Sequence, residues 1–111
     1  MLPSSRRLST TLFDKVLKQG KFFSGSMFTI RVLKAQGMSR FSVVISKKIA
    51  KKAVERNKIR RRVYSSLNTL LPRLTDGFLC VLMMKDKIKA MEYEKIKKNI
   101  EDFFVNLSIL K

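Results

Sequence analysis

The chain contains no histidine and no tryptophan, one cysteine, two prolines, four glycines and only eight acidic residues in a length of 111. Each shortage removes a class of function. Without histidine there is no imidazole base, no His-ligated metal and no Ser-His triad. Cys80, being alone, makes neither an internal disulfide nor a zinc centre, which needs several ligands. Within the apolar run FLCVLMM (78–84) it reads as a reduced core residue rather than a nucleophile. No stretch of fifteen apolar residues exists, so no transmembrane span is expected. The opening MLPSSRRLSTT lacks the apolar centre of a secretory signal. The acids form no catalytic pair: Glu92 and Glu94 fall on different sides of a helix, while Glu101 and Asp102 neighbour Lys97 and Lys98. All four read as solvated charges. What remains is a reducing, cytoplasmic chain without acid–base or metal chemistry of its own.

Positive charge is what the chain has in abundance. Its 25 Lys and Arg residues give a net charge of +17, unevenly placed. Residues 1–75 hold eighteen of these cations against Asp14 and Glu55, whereas residues 76–111 hold seven lysines against six acids. A hydrophobic content of 45% with eight phenylalanines argues against a disordered basic tail. The length suits one domain, so 1–111 is read as a single domain with residues 1–8 as an extended arm. A polyanionic partner relieves such self-repulsion, and nucleic acid is the leading candidate.

The charge concentrates in SKKIAKKAVERNKIRRRVY (46–64), where nine Lys or Arg between Lys47 and Arg62 face one acid, Glu55. The cations are interleaved with apolar residues, so the segment can fold. At about 100° per residue, Ile59, Val63, Leu67 and Leu70 share a narrow arc and Lys47, Lys51, Lys58, Arg61 and Arg62 fall opposite. Arg56 and Arg60 lie near the apolar arc, so their guanidiniums must snorkel or point at something specific. A merely solvated helix face normally mixes signs for i,i+4 pairing, and this one does not. A membrane-surface helix is another use of such charge, but here the apolar arc is needed by the core. Phosphate contact along a folded RNA or a duplex is the stronger reading, with a steep salt dependence.

Elsewhere the periodicities are plain. Ser9 or Thr10 caps a short helix carrying Leu12, Phe13, Val16 and Leu17, stopped by Gly20. Residues 26–33 and 40–46 alternate as strands around a Gln36-Gly37 turn. The basic helix is expected from about Ile49 to Leu71, ending near Pro72. Asp76-Gly77 then turns the chain into 78–84, a strand covered on both faces. Residues 91–110 form a last helix with Tyr93, Ile96, Ile100, Phe103, Phe104 and Leu107 inward. The order α-β-β-α-β-α, with room for an extra short strand, predicts an α+β sandwich on a small mixed sheet. A second candidate site follows. Phe13, the ring favoured as exposed, with Phe28 or Phe41 nearby, offers a face to unstacked bases beside Lys15, Lys18 and Arg31.

The motif at 46–62 resembles the signature of the bacterial ribonuclease P protein family. There a strand ends in Ser-x-Lys and enters a helix bearing Ala-Val-x-Arg-Asn; the matching residues are Ser46, Lys48, Ala53, Val54, Arg56, Asn57, Arg60 and Arg61. Arg6-Arg7-Leu8, the Phe13-x-x-Val16-x-x-x-Gly20 pattern and Asp76 before the apolar strand are also similar to that family's pattern. The chain departs from it at Ala50, where glycine is common, at Tyr64, where a further cation is common, and at Leu17 and Arg31, where aromatics are common. The resemblance implies a ribosomal-protein-like domain with a left-handed strand–helix–strand crossover, against the usual right-handed rule. It implies a catalytic RNA subunit that cleaves precursor tRNA with Mg²⁺, the protein clamping that RNA and the 5′ leader. Lys47, Lys48, Lys51, Arg56, Asn57, Lys58, Arg60, Arg61 and Arg62 are then the RNA-binding set, and Phe13, Lys15 and Arg31 the leader-binding set. The expected partners are ribonuclease P RNA and precursor tRNA, with no membrane and no obligate protein partner. The alternatives are a ribosomal or RNA-chaperone protein without an enzyme role, and a major-groove DNA reader, which would want a second helix or a dimer seam.

Overall fold

Ser9 sets where the first helix begins: its hydroxyl accepts from the Leu12 N–H at 3.3 Å, satisfying one of the donors a helix start leaves open. The computed structural model describes residues 4–110. In it helix α1 spans Thr10–Gln19. Gly20 ends it for a reason of space rather than torsion. Its φ is −72°, and any Cβ there would sit 2.6 Å from the Val16 carbonyl oxygen.

The chain then makes strands β1 (Lys21–Ser24), β2 (Phe28–Lys34) and β3 (Arg40–Val44), helix α2 (Ala53–Leu70), strand β4 (Phe78–Met84) and helix α3 (Tyr93–Asn106). The sheet order is β1-β2-β4-β3, with β1–β2 and β2–β4 antiparallel and β3–β4 parallel. β4 is therefore central, as its unbroken apolarity predicts, and α2 forms the connection between two parallel neighbours. β1 is the extra short strand. Short 3₁₀ turns occupy Ser4–Arg6, Leu71–Arg73 and Asp86–Ala90.

Alternation along the strands sorts side chains onto two faces. Phe28, Ile30, Phe41, Val43, Cys80, Leu82 and Met84 form the larger core with Ile59, Val63, Leu67, Leu70, Ile96, Ile100 and Phe104 from α2 and α3. On the other face, Leu79 and Val81 meet Val16 of α1, with Leu12, Phe13 and Leu17 at its margin. This is the α+β sandwich expected.

Three local expectations change. The arm at 1–8 is not simply extended: Ser4–Arg6 is a 3₁₀ turn and Arg7 bridges to Phe41 on the free edge of β3. Pro3, assigned to that arm, lies outside the described residues. The basic helix starts at Ala53 rather than near Ile49. The core takes the side chains of Ile49 and Ala50, and the Ser46 carbonyl accepts from both of their N–H groups, closing a turn before the helix. The last helix starts at Tyr93, after a 3₁₀ turn that buries Ile88.

A candidate RNA interface

The apolar arc of α2 holds as expected: Ile59, Val63, Leu67 and Leu70 are all buried. That anchoring fixes which way the cations face. Lys58 and Arg61 are exposed and Arg62 half-buried. Lys47, Lys48 and Lys51 are exposed too, but they belong to the turn before α2. Helical geometry therefore does not position them, and the turn does.

Arg56 resolves the tension seen in the sequence. Its guanidinium donates to the Ala50 carbonyl at 2.9 Å and the Lys51 carbonyl at 2.8 Å. It reaches back along the chain and closes the lysine-bearing turn against the first turn of α2. Asn57 accepts from the Arg60 guanidinium through Oδ1 at 2.9 Å. That bond leaves the Asn57 amide hydrogens pointing elsewhere and holds one planar cation in a set orientation, the form in which guanidinium best meets phosphate. Ordering these groups before binding reduces the entropy lost when a ligand arrives.

Val54, Asn57, Arg60, Arg61 and Tyr64 line an open depression of about 470 Å³ along α2. Val54 is 75% exposed, the largest exposure among the large apolar residues described. A wheel reading that ranks residues by charge passes over it. Its isopropyl group supplies apolar surface suited to a ribose or a base edge between cations. Tyr64, where the resemblance leads one to look for a cation, is buried, and its hydroxyl accepts from the Val43 N–H at 3.2 Å. It satisfies an edge-strand amide instead of serving a ligand.

The second candidate site is only partly assembled. Phe13 is half-buried against the α1 face of the sheet rather than exposed. Lys15 is exposed one position before buried Val16. Phe28 and Phe41 are core on the opposite face, their rings 5.0 Å from Phe103 and 5.7 Å from Phe104. Arg31 does lie on the α1 face, with its guanidinium 5.4 Å from the ring centroid of Phe22. Phe22 is 53% exposed and was missed in the sequence. The signal was the Phe22-Phe23 pair itself, since neighbours in a strand must face opposite sides.

One acid departs from expectation. Glu101, read as solvated, forms an ion pair with Arg73 at 2.6 Å, tying the turn after α2 to α3. Among the described residues no three His, Cys, Asp or Glu side chains come together to hold a metal ion. Among the described residues, no helix is long and apolar enough to cross a membrane.

The ribonuclease P family model matches residues 2–108. The ribonuclease P protein component of Microcystis aeruginosa is 31% identical over 115 residues, covering 98% of this chain and 96% of that one. Its counterpart from Picosynechococcus is 30% identical over 110 residues, covering 97% and 95%. The RNase P protein of Staphylococcus aureus superposes with a TM-score of 0.83 at 18% identity, covering 96% of this chain and 98% of that one. That of Thermotoga maritima gives 0.78 at 22% identity, with 87% and 93% covered. The likenesses in structure establish a shared fold. Together with a family match across nearly its whole length, they mean that this chain belongs to the ribonuclease P protein family.

Proposed function

We propose that the chain, a protein component of ribonuclease P, acts as an RNA clamp while the RNA subunit breaks the phosphodiester bond. The observation that carries the reading is the Arg56–turn and Asn57–Arg60 arrangement, which holds a cationic surface in order before any ligand arrives. Lys47, Lys48, Lys51, Lys58, Arg60, Arg61 and Arg62 meet phosphates of the catalytic RNA. Asn57 bonds a ribose or base edge, and Arg56 supports the set from behind. Phe13, Lys15 and Arg31 bind the 5′ leader of precursor tRNA on the α1 face. The whole chain works as one RNA-binding domain in the cytoplasm. Mg²⁺ belongs to the RNA-based active site.

The test is a processing assay. Purified protein added to its cognate catalytic RNA at low Mg²⁺ raises the cleavage rate of leader-bearing precursor tRNA. No increase would favour a ribosomal or chaperone role instead.

A further inference from the structure

Helix α3 stops short of one corner of the sheet. Its last turn ends at Asn106, and Ser108, with φ of +62°, turns the chain away so that Leu110 bridges to Leu74. The corner left open belongs to β1, β2 and the start of β4. Register places Lys21 opposite Val32 and Lys34 opposite Phe78, so these four share the α3 face of the sheet. Phe23 continues that face on β1, and Leu107 overhangs it. Together with Leu33 and Gln19, the last residue of α1, at its edge, they line a hollow of about 370 Å³, within the range of small-ligand sites.

Its chemistry is mixed in a specific way. Phe23, Val32, Phe78 and Leu107 are half-buried and leave apolar surface open. Lys21 and Lys34 are exposed at its margin, and no acid lines it. A strand register of this kind holds the two lysines on a diagonal, their stems about 7–8 Å apart. The ligand that fits is a flat apolar ring carrying negative charge. We propose that this hollow binds one unstacked nucleotide of a single-stranded RNA segment, its base against the phenylalanines and its phosphates on Lys21 and Lys34. Aromatic stacking joined to backbone cations is the usual way proteins hold single strands without reading sequence. The site is separate from the basic helix, which packs over β3: the β1 side of the hollow, with Lys21 and Phe23, lies three strands away, about 14 Å at the usual spacing. It also lies on the other face from Phe13 and Arg31.

Adenosine 5′-monophosphate titrated into the isotope-labelled full chain tests this by nuclear magnetic resonance. Amide signals of Phe23, Val32, Lys34, Phe78 and Leu107 are expected to move, and to move far less with inorganic phosphate. Lys21→Glu with Lys34→Glu weakens that binding tenfold or more, and Lys21→Gln with Lys34→Gln weakens it by a smaller factor. Because both side chains are exposed, the melting temperature stays unchanged. Phe13→Ala leaves the same shifts intact. For binding of a uridine pentamer, the Glu pair flattens the slope of log K against log salt by about 1.4. If only Asn57, Arg60 and Arg61 signals respond, the hollow is not a nucleotide site and the basic-helix reading stands. Equal shifts with inorganic phosphate, or with a hexaglutamate peptide, would also overturn it by reducing the site to charge alone. If neither region responds to nucleotide or pentamer, the RNA-clamp reading falls as well.

Discussion

Replacing Arg56 with alanine separates support from contact. The side chain lies among cations in a motif that reads as phosphate-binding, yet its guanidinium is engaged with the carbonyls of Ala50 and Lys51. Hydrogen bonds with one charged partner are worth about 1.5–3 kcal/mol each, and a half-exposed group retains less, so the pair together contributes about 1–2 kcal/mol. For a chain of this length that corresponds to a drop in melting temperature of roughly 4–8 °C. The turn carrying Lys47, Lys48 and Lys51 loosens, and RNA affinity falls because the binding-competent arrangement is less populated. The salt dependence should nevertheless be unchanged, since no phosphate contact is lost. Arg60→Ala with Arg61→Ala should do the reverse: little change in melting temperature, and a slope shallower by about 0.9 per cation on a duplex. Arg56→Lys keeps the charge but not the two-pronged reach, and should recover only part of the stability. Calorimetry and filter binding across a salt series give both readouts. An Arg56→Ala protein with wild-type melting and a flattened salt slope would refute the reasoning.

Three further outcomes are expected. Tyr64→Phe leaves the buried Val43 N–H without its acceptor and should cost about 1–3 kcal/mol, seen as a lower urea midpoint at constant m-value. Burial pushes the Cys80 thiol far above its ordinary range. In alkali the unfolded chain therefore loses that proton first, and stability falls by about 1.4 kcal/mol per pH unit above roughly pH 8.5. Cys80→Ala should remove that component, measured as the difference between the two pH profiles; identical profiles would show the thiol is not protected. Phe22→Ala and Phe13→Ala should each weaken binding of leader-bearing precursor more than of mature tRNA, and equal effects in a binding assay would make both rings structural.

Much of the fold was legible because it depends on local periodicity. The Ile59–Leu70 arc, the alternation at Phe28–Val32 and Phe41–Ile45, and the continuous apolar run of β4 each state which side meets the core, since burial of apolar surface dominates the energetics. The cationic surface was legible for the same reason: once the apolar arc is anchored, the charges have one direction left. Strand order was not, because pairing β3 with β4 across α2 joins residues far apart in the chain. The roles of individual cations were also hidden. Helical position set Arg56, near the apolar arc, apart from Arg61, which faces solvent, but nothing in the local pattern named the two carbonyls that Arg56 turns back to. Composition by itself excluded catalysis by imidazole or by a disulfide or zinc centre and demanded a polyanion. Only the packed structure decided that Phe22 stands out beside Arg31 while Phe28 and Phe41 are sealed inside. It also decided that a corner flanked by Lys21 and Lys34 stays open, because the turn at Ser108 leads the chain away before it can cover it.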